Sequence, residues 1–364
     1  MPAPIPPYPQ STYIRNARLT WLHRTDVVGD MWPQTWAADD RIYAGAGDNC
    51  PSAEMTWSPM NLWAANGDDP QNPAVELVNN MPVDHMRYAR GEGVRRFYGI
   101  KPAGLIHIDG VLYMSVEKIN YGDQPLFNRQ HNLCGWIVTS RDLGKTWDCD
   151  ATPQDFFTGQ LSSCHFLQAG KGDDNIIDGY VYAYFPCGQD TDDSWWCCGD
   201  RMLLGRARPH LILDRLAWSF LAGLDGEGKP TWWDFGGQTP LHPVFIYPRY
   251  CGENHVSYNP HIKRYILANY AFYNPKTGEA RPYHNTPRCD YVSQLTLFEA
   301  ENPWGPWHLF LRDDDWLGGG YQATFPVKWM SPDGRSMAML ACGNGPNWCN
   351  YRFLTQGLEY DLAM

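Results

Sequence analysis

Residues 140–147 read Ser140-Arg-Asp-Leu-Gly-Lys-Thr-Trp147, a pattern of the form S-x-D-x-G-x-T-W. The Asp142 carboxylate can accept hydrogen bonds from the backbone N–H groups of a tight turn, and Gly144 can adopt a positive φ. Trp147 can then fold under the turn and join the apolar interior. The stretch therefore predicts a turn between two β-strands, in which Asp142 and Trp147 have structural roles.

Five segments spread along the chain share a second, longer pattern. Each has an apolar strand, a turn rich in Asp, Gly or Asn, and a second apolar strand rich in Tyr. The segments start at Trp32, Lys101, His165, His255 and Tyr321, at intervals of roughly 65 to 90 residues. Their turn chemistry and their alternation of β-branched and aromatic residues predict that each segment is a β-hairpin.

A second pair of strands follows most of these hairpins, beginning near Gly135, Arg201 and Tyr291. Two hairpins make a four-stranded antiparallel blade, and five such units predict an all-β, single-domain, five-bladed β-propeller. A two-sheet β-sandwich is the alternative, but it does not explain fivefold self-similarity over the whole chain. The strand-like ends, residues 13–23 and 350–362, are expected to close the ring together.

The first twelve residues differ from this pattern. Residues 1–12 are rich in proline, which favours an extended and unpaired backbone. We interpret them as an N-terminal arm and residues 13–364 as the propeller, because no Ser/Gly linker, charge block or low-complexity run divides the remainder.

Composition narrows the classes of ligand. The formal net charge is −11, which argues against nucleic acid and anionic membrane surfaces as partners. The chain is 14% aromatic, with 17 Trp and 21 Tyr. Aromatic rings stack on the C–H faces of sugars, although most of these rings are expected in the core. No apolar run reaches the roughly 20 residues that span a bilayer, and the N-terminus lacks the pattern of a signal peptide.

The cysteines and acidic loops give no clear metal site. The 11 cysteines are scattered and include no Cys-x-x-Cys pair, so a zinc site of that kind is not expected. The loop Asp313-Asp314-Asp315 is interpreted as a solvated acidic loop, with a structural calcium ion as the alternative. We expect no cofactor, and the oligomeric state stays open.

Propellers bind ligands at the mouth of the central channel. The mouth is lined by the first residues of each innermost strand and the last residues of the second strand, since a hairpin returns to the rim where it started. This rule selects Asp30, Trp32, Lys101, His165, His255, Tyr321 and Gln322 from the first set, and Asp48, Glu117, Lys118, Asp190 and Asn344 from the second. The start of a third strand, Asp200-Arg201, returns to the same rim.

Asp30 and Asp48 bracket the first hairpin, so both carboxylates should reach one mouth. Glycosidic cleavage needs such a pair, in which one carboxyl protonates the leaving oxygen and the other attacks or activates water. Both residues can instead be plain turn formers, since Asp48 adjoins Gly47 and Asn49. Glu92, in a glycine-flanked loop, either points into the mouth or is solvated.

Several motifs along the chain, in order, carry a resemblance to a known family. They include Gly29-Asp30-Met31-Trp32, Lys101-Pro102-Ala103-Gly104, Asp109-Gly110-Val111-Leu112-Tyr113, Asp200-Arg201-Met202 and Pro303-Trp304-Gly305-Pro306-Trp307. With residues 140–147, which are similar to the Asp-box of sialidase-like propellers, they resemble the endo-D-arabinanases. That glycoside hydrolase family, formerly a domain of unknown function, is built on a five-bladed propeller. The resemblance implies essential acidic residues at Asp30 and Asp48, with Asp200 as a third carboxylate nearby.

One segment departs from the family. Residues 187–198 are rich in cysteine and contain Trp195-Trp196, and they precede Asp200 at the predicted mouth. Because of this departure, the expected substrates include furanoside or pyranoside polymers other than D-arabinan.

The leading hypothesis is a secreted or periplasmic glycoside hydrolase that acts on a polysaccharide or oligosaccharide, with Asp30, Asp48 and Asp200 as catalytic carboxylates. The substrate contacts would be Trp32, Trp36, Glu92, Lys101, His165, Arg201, His255, Tyr258 and Gln322, with Trp195 and Trp196 as further stacking platforms. A polysaccharide lyase with a His or Tyr base is the first alternative. A non-catalytic sugar-binding propeller is the second, which is weaker because the blades diverge strongly.

Overall fold

A computed structural model of the chain describes residues 2–49, 58–81, 99–119, 131–188, 194–195, 198–235, 241–281, 290–343 and 351–363. The strands in these ranges form five antiparallel sheets. The helices in the described part of the chain are short 3₁₀ turns: Gly159–Leu161, Gly172–Asn175, Pro209–Leu211, Arg215–Ala217, Trp316–Gly318 and Val327–Trp329. Among these residues, no helix has the length and apolar character needed to cross a membrane.

Each sheet is one blade, and the first strand of each blade is the innermost. Blade 1 consists of Asp30–Trp36, Ile42–Asn49, Ser58–Asn66 and Ala74–Asn79. Blade 2 consists of Ile100–Ile108, Val111–Ile119 and His131–Ser140, and the last strand also pairs with Phe157–Thr158 and Ser194–Trp195. Blade 3 consists of His165–Phe166, Val181–Cys187, Gly199–Ala207, Ser219–Leu224 and Pro230–Asp234, and Phe245–Cys251 also pairs with its third strand. Blade 4 consists of His255–Asn259, Arg264–Tyr273, Val292–Ala300 and His308–Asp313. Blade 5 consists of Tyr321–Thr324, Ser336–Cys342, Leu354–Leu362 and Ile14–Arg24.

The five innermost strands form a closed ring. Each contacts the innermost strand of the next blade, and the strand of blade 5 contacts that of blade 1. The fold is therefore a five-bladed β-propeller, as the fivefold pattern predicts, and the sandwich alternative is wrong. Each of the five predicted hairpins forms the first two strands of one blade. Blades 2 and 3 depart from the predicted four-strand pattern. In blade 2, two short strands both pair with the third strand, whereas in blade 3 Pro230–Asp234 adds a fifth strand and Phe245–Cys251 pairs with the third.

Strands from the two ends of the chain close the ring. Ile14–Arg24 pairs antiparallel with Leu354–Leu362, in a register that sets Ile14 opposite Leu362 and Arg24 opposite Leu354. This pairing is the predicted one. It hydrogen-bonds the first strand of the chain to the last, so that blade 5 is complete only when both ends are in place.

The N-terminal arm packs on the outside of blades 3 and 4. The Tyr8 ring stacks on Phe245 with ring centroids 4.9 Å apart, and its hydroxyl accepts a hydrogen bond from the Ile246 N–H at 2.6 Å. Burial raises the pKa of Tyr8 to about 12. The arm therefore contributes to packing even though it forms no strand of its own in the described residues.

The turn at residues 140–147 is held by its own side chains. Asp142 Oδ1 accepts the Thr146 N–H at 2.9 Å, and Asp142 Oδ2 accepts the Thr146 hydroxyl at 2.7 Å. Gly144 has φ 86°, and Trp147 is buried. The turn lies at the end of the third strand of blade 2 and packs against Leu62 of blade 1.

Candidate active site

Polar side chains concentrate at one end of the propeller axis, where the innermost strands begin. Lys101, His165, His255 and Gln322 all lie at these strand starts and are buried. Asp30 lies at the start of the first such strand and is largely buried as well. Buried polar groups need partners, and the contacts between blades at this end supply them.

Asp30 and Asp48 meet at a lysine from the neighbouring blade. The strand register sets Asp30 opposite Gly47, which places Asp48 beside it. Lys101 Nζ lies 2.5 Å from Asp48 Oδ1 and 3.6 Å from Asp30 Oδ2. These two contacts to one ammonium place the two carboxylate oxygens no more than about 6 Å apart, a spacing within reach of a single glycosidic bond.

A second donor holds the other oxygen of Asp30. The Tyr321 hydroxyl donates to Asp30 Oδ1, and Cys342 Sγ lies 3.1 Å from the same hydroxyl. Burial raises the pKa of Cys342 to about 12, so the thiol stays protonated. Tyr321 and Lys101 thus approach Asp30 from blades 5 and 2: the tyrosine hydroxyl donates a hydrogen bond to its carboxylate, and the ammonium lies 3.6 Å away as a nearby positive charge.

The backbone around the aspartates is unusual. Met31 and Trp32 have φ 83° and 87°, Asp48 has φ 41° and Gln322 has φ 55°. The pairing of the first hairpin also shifts register between Met31 and Gln34. Non-glycine residues rarely adopt positive φ, and such strain and such bulges concentrate at functional sites, where they re-aim side chains.

A second cluster of buried carboxylates adjoins this pair. Glu117 lies opposite Lys101 in the strand register, and Glu253 lies two residues before the innermost strand of blade 4. Asn132 Nδ2 donates to Glu117 Oε2 and to Glu253 Oε1, both at 3.0 Å. Burial raises the pKa of both carboxyls, and the negative charge of Glu253 raises that of Glu117 further.

Two histidines and a glutamine complete this cluster. Gln322 Nε2 donates to Glu253 Oε2 at 2.6 Å, and its Oε1 lies 2.9 Å from His255 Nε2. The His165 and His255 rings meet edge to face, with centroids 4.8 Å apart. Burial lowers the pKa of His165 well below its usual value and lowers that of His255 to about 4. Both imidazoles are therefore neutral at pH 7.

Asp200 and Arg201 lie on the third strand of blade 3, further from the axis than the aspartate pair. Asp200 Oδ1 accepts the Arg249 N–H at 2.8 Å, and Arg201 Nη2 donates to Gln160 Oε1 at 3.2 Å. Arg249 has φ 69°, so backbone strain extends to this part of the rim.

Three predicted sugar contacts are corrected by their positions. Trp32 is completely buried, with its Nε1 donating to Arg352 O at 3.0 Å, and no face of its ring is open to a sugar. Trp36 and Tyr258 lie beside the hairpin turns at the opposite end of the axis. The Trp36 Nε1 donates to Asp40 Oδ1 at 3.1 Å, and the Tyr258 ring packs 4.9 Å from that of Tyr265.

Some predicted positions lie outside the described residues. These are Glu92, Asp190, Asn344 and Trp196, and of Trp195 only the backbone is described.

The rim rule also missed residues that the structure places at the site. Glu253 precedes its strand by two residues, so a rule limited to strand starts passes over it. Asn132 lies on a third strand, which the rule does not include for blade 2. Cys342 ends the second strand of blade 5 and meets the rule, but its thiol carries no sequence signal that distinguishes it from the other cysteines.

Comparisons with known proteins support the fold. No protein-family model matches the chain, and no curated protein matches it in sequence. A candidate hydrolase from Bacteroides ovatus ATCC 8483 is similar in structure, with a TM-score of 0.52 and 11% identity over 93% of this chain and 87% of that chain. The xylan β-1,4-xylosidase of Bacillus halodurans C-125 has a TM-score of 0.49 and 10% identity, over 93% of this chain and 54% of that chain. The catalytic domain of a Coprinopsis cinerea α-L-arabinofuranosidase has a TM-score of 0.47 and 10% identity, over 97% of this chain and 98% of that chain. The first of these likenesses supports the propeller architecture, and at such identities it indicates the fold alone.

Proposed function

We propose that the protein is a glycoside hydrolase that cleaves glycosidic bonds in a polysaccharide, with Asp30 and Asp48 as its catalytic carboxylates. The observation that carries the proposal is their convergence on Lys101 at the mouth of the ring. The likeness in fold to a candidate hydrolase agrees with it. The resemblance to endo-D-arabinanases supports an arabinan-like furanoside polymer as substrate, or a related pyranoside polymer.

The contacts favour different roles for the two carboxylates. The Tyr321 hydroxyl donates a hydrogen bond to Asp30, which suits a fixed acceptor, so Asp30 acts as the nucleophile or as the base that activates water. Asp48 is partly exposed, so a leaving oxygen can reach it from the mouth, and Lys101 is its described partner. We assign protonation of the leaving oxygen to Asp48, a role that requires Lys101 to move away from it when the substrate binds, because a neighbouring ammonium favours the ionised carboxylate.

Replacing each aspartate by asparagine tests these roles. Asp30→Asn and Asp48→Asn should each lower cleavage of the polysaccharide by about 10²- to 10⁴-fold, because each removes a proton-transfer or nucleophilic group. On an aryl glycoside with a good leaving group, Asp48→Asn should retain activity, since that leaving group needs no proton. Asp30→Asn should remain inactive. Release of reducing ends and of the aryl group measures the two reactions.

A matched control is Asp234→Asn, which changes an exposed aspartate on an outer strand of blade 3. It should keep wild-type rates. Unchanged polysaccharide cleavage by both rim variants would refute the assignment, and aryl activity lost only in Asp48→Asn would reverse the two roles.

The lyase alternative receives less support. Its base would have to reach the substrate, but His165 and His255 are both buried. Each is hydrogen-bonded to a neighbouring side chain, His165 to Ser163 and His255 to Gln322. A panel of plant, algal and mycobacterial glycans separates the two reactions. Hydrolysis releases reducing ends without new ultraviolet absorbance, whereas elimination creates an unsaturated product that absorbs.

A further inference from the structure

The N-terminal arm lies against a strand that leads directly to the mouth. This strand, Phe245–Cys251, is followed closely by His255, where the innermost strand of blade 4 begins. In the described part of the chain it pairs along one side only, with the third strand of blade 3. The backbone groups on the other side of such an edge strand need partners from elsewhere in the molecule.

The same strand carries unfavourable backbone that contacts the third carboxylate of the rim. Arg249 has φ 69°, and its N–H donates to Asp200 Oδ1 at 2.8 Å. A non-glycine residue keeps such a backbone angle only where the surrounding structure holds it. The positions of Asp200 and of Arg201 beside it therefore depend on how firmly residues 245–251 are held.

Tyr8 of the arm supplies contacts to this strand. Its ring stacks on Phe245, with the centroids 4.9 Å apart and the ring planes within 3° of parallel. Its hydroxyl accepts the Ile246 N–H at 2.6 Å. Phe298 of blade 4 meets the Tyr8 ring edge to face, with the centroids 5.2 Å apart. Tyr8 thus satisfies a backbone donor of the edge strand and packs that strand against blade 4.

Further contacts fix the beginning of the arm. The Tyr247 hydroxyl donates to Pro4 O at 2.5 Å, and Arg312 Nη2 donates to Ala3 O at 2.6 Å. Arg312 is itself paired with Asp314 at 2.6 Å. The fourth strand of blade 4 ends beside these residues, at the end of the axis where its innermost strand begins. The arm is therefore held both by the edge strand and by blade 4, near the mouth.

We propose that the N-terminal arm holds the rim of the mouth in shape, and that Tyr8 is a positioning residue for Asp200 and Arg201. Tyr8 holds residues 245–251, and Arg249 within them donates to Asp200. The strand register sets Arg201 opposite the same segment. The effect on substrate binding rests on the proposed function, whereas the coupling between the arm and the rim does not.

Hydrogen exchange of the full-length chain tests this coupling. Tyr8→Ala removes both the ring and the acceptor, so amide exchange in residues 245–251 should become at least tenfold faster, because local opening controls the exchange rate. Tyr8→Phe keeps the stacked ring and removes only the acceptor. It should give a smaller increase in the same segment, and it decides the question if Tyr8→Ala does not fold.

Tyr13→Ala is the matched control. Tyr13 is a nearby aromatic residue whose ring lies 4.2 Å from the guanidinium carbon of Arg264, and Arg264 begins the second strand of blade 4 at the end of the axis opposite the mouth. This variant should lower overall stability and leave exchange in residues 245–251 unchanged. Unchanged exchange in both Tyr8 variants, or an equal increase in Tyr13→Ala, would overturn the proposal.

Steady-state kinetics test the consequence for the mouth. Tyr8→Ala should raise KM for the polysaccharide about fivefold, which corresponds to about 1 kcal/mol of binding free energy. The kcat should change little, because Asp30 and Asp48 lie on blade 1, and Tyr8→Phe should recover most of the loss. Faster exchange with an unchanged KM would refute the positioning role. A wild-type chain that cleaves no polysaccharide would instead contradict the proposed function, and the exchange result would stand.

Discussion

Tyr321 is the residue that most closely controls Asp30. Its hydroxyl donates a hydrogen bond to Asp30 Oδ1 and accepts one from the Cys342 thiol, while the ring is buried in blade 5. The hydrogen bond fixes the rotamer of the carboxylate, since a hydrogen bond to a charged acceptor contributes about 1.5–3 kcal/mol. Tyr321 is therefore a positioning residue for the proposed reaction.

Tyr321→Phe removes this hydroxyl and keeps the ring. We expect kcat on the polysaccharide to fall by about 10- to 100-fold, which corresponds to the loss of one charged hydrogen bond. KM should change little, because no sugar contact is removed. Steady-state kinetics over a range of substrate concentrations measure both quantities.

Tyr184→Phe is the corresponding control. Tyr184 is completely buried in blade 3 and donates to Pro303 O at 2.7 Å. Its variant should lose stability while kcat stays unchanged. Equal kcat values for wild type and Tyr321→Phe would show that Tyr321 does not position Asp30 for the reaction.

At the scale of the element, the turn at residues 140–147 joins two blades. Gly144 has φ 86°, and Asn79 Nδ2 of blade 1 donates to Lys145 O at 2.9 Å. A Cβ at position 144 would lie 1.9 Å from Leu62 Cδ2, and Leu62 is itself buried. The turn therefore requires glycine for two separate reasons, its backbone angle and its close contact with blade 1.

Gly144→Ala should lower the free energy of unfolding by about 2–5 kcal/mol. The left-handed backbone contributes about 1–2 kcal/mol of this, and the forced repacking of Leu62 contributes about 1–3 kcal/mol. Gly110→Ala isolates the first effect, because Gly110 has φ 70° with nothing within 4 Å of an added Cβ. Urea unfolding of both variants measures the difference. An equal loss in the two would show that contact with blade 1 contributes nothing.

At the scale of the whole molecule, Asp40 connects three blades at the end of the axis opposite the aspartate pair. Its carboxylate contacts Lys171 of blade 3 at 2.8 Å and Lys328 of blade 5 at 3.0 Å. Hydrogen bonds from Lys171 and then Lys328 hold the pKa of Asp40 well below its usual value. Trp36 packs against the same network, which accounts for its position.

Asp40→Asn should reduce stability in a way that depends on pH. Because the pKa of Asp40 is lower in the folded state, its contribution is present above the unfolded value near 4 and is lost as pH falls through the folded value. Asp40 is about half exposed, so screening limits the loss at pH 7 to about 0.5–1 kcal/mol. Urea unfolding at pH 7 and at pH 3 should show a smaller difference between variant and wild type at the lower pH. A difference that is the same at both pH values would exclude the ion pairs as its cause.

Much of the fold follows from local pattern, and the site follows only partly. The five hairpins and the closing strands were predicted because alternation and turn residues act over a few positions. Lys101, Gln322 and the histidines were selected because a hairpin must return to its own rim. Trp32 was assigned to the mouth, but a bulge with two consecutive positive φ values turns its ring between blades 1 and 5, and no turn or glycine signal marks that bulge.

The sequence by itself determined which segments become strands, where they turn and which ends meet, because those choices rest on period-two alternation and on residues with special backbone preferences. Only the tertiary structure decided which side chains share a site. Tyr321 reaches Asp30 across 291 positions, and Asn132 reaches Glu253 across 121. Such contacts depend on how the blades close into a ring, and hydrogen bonds between distant residues leave no periodic pattern in the chain.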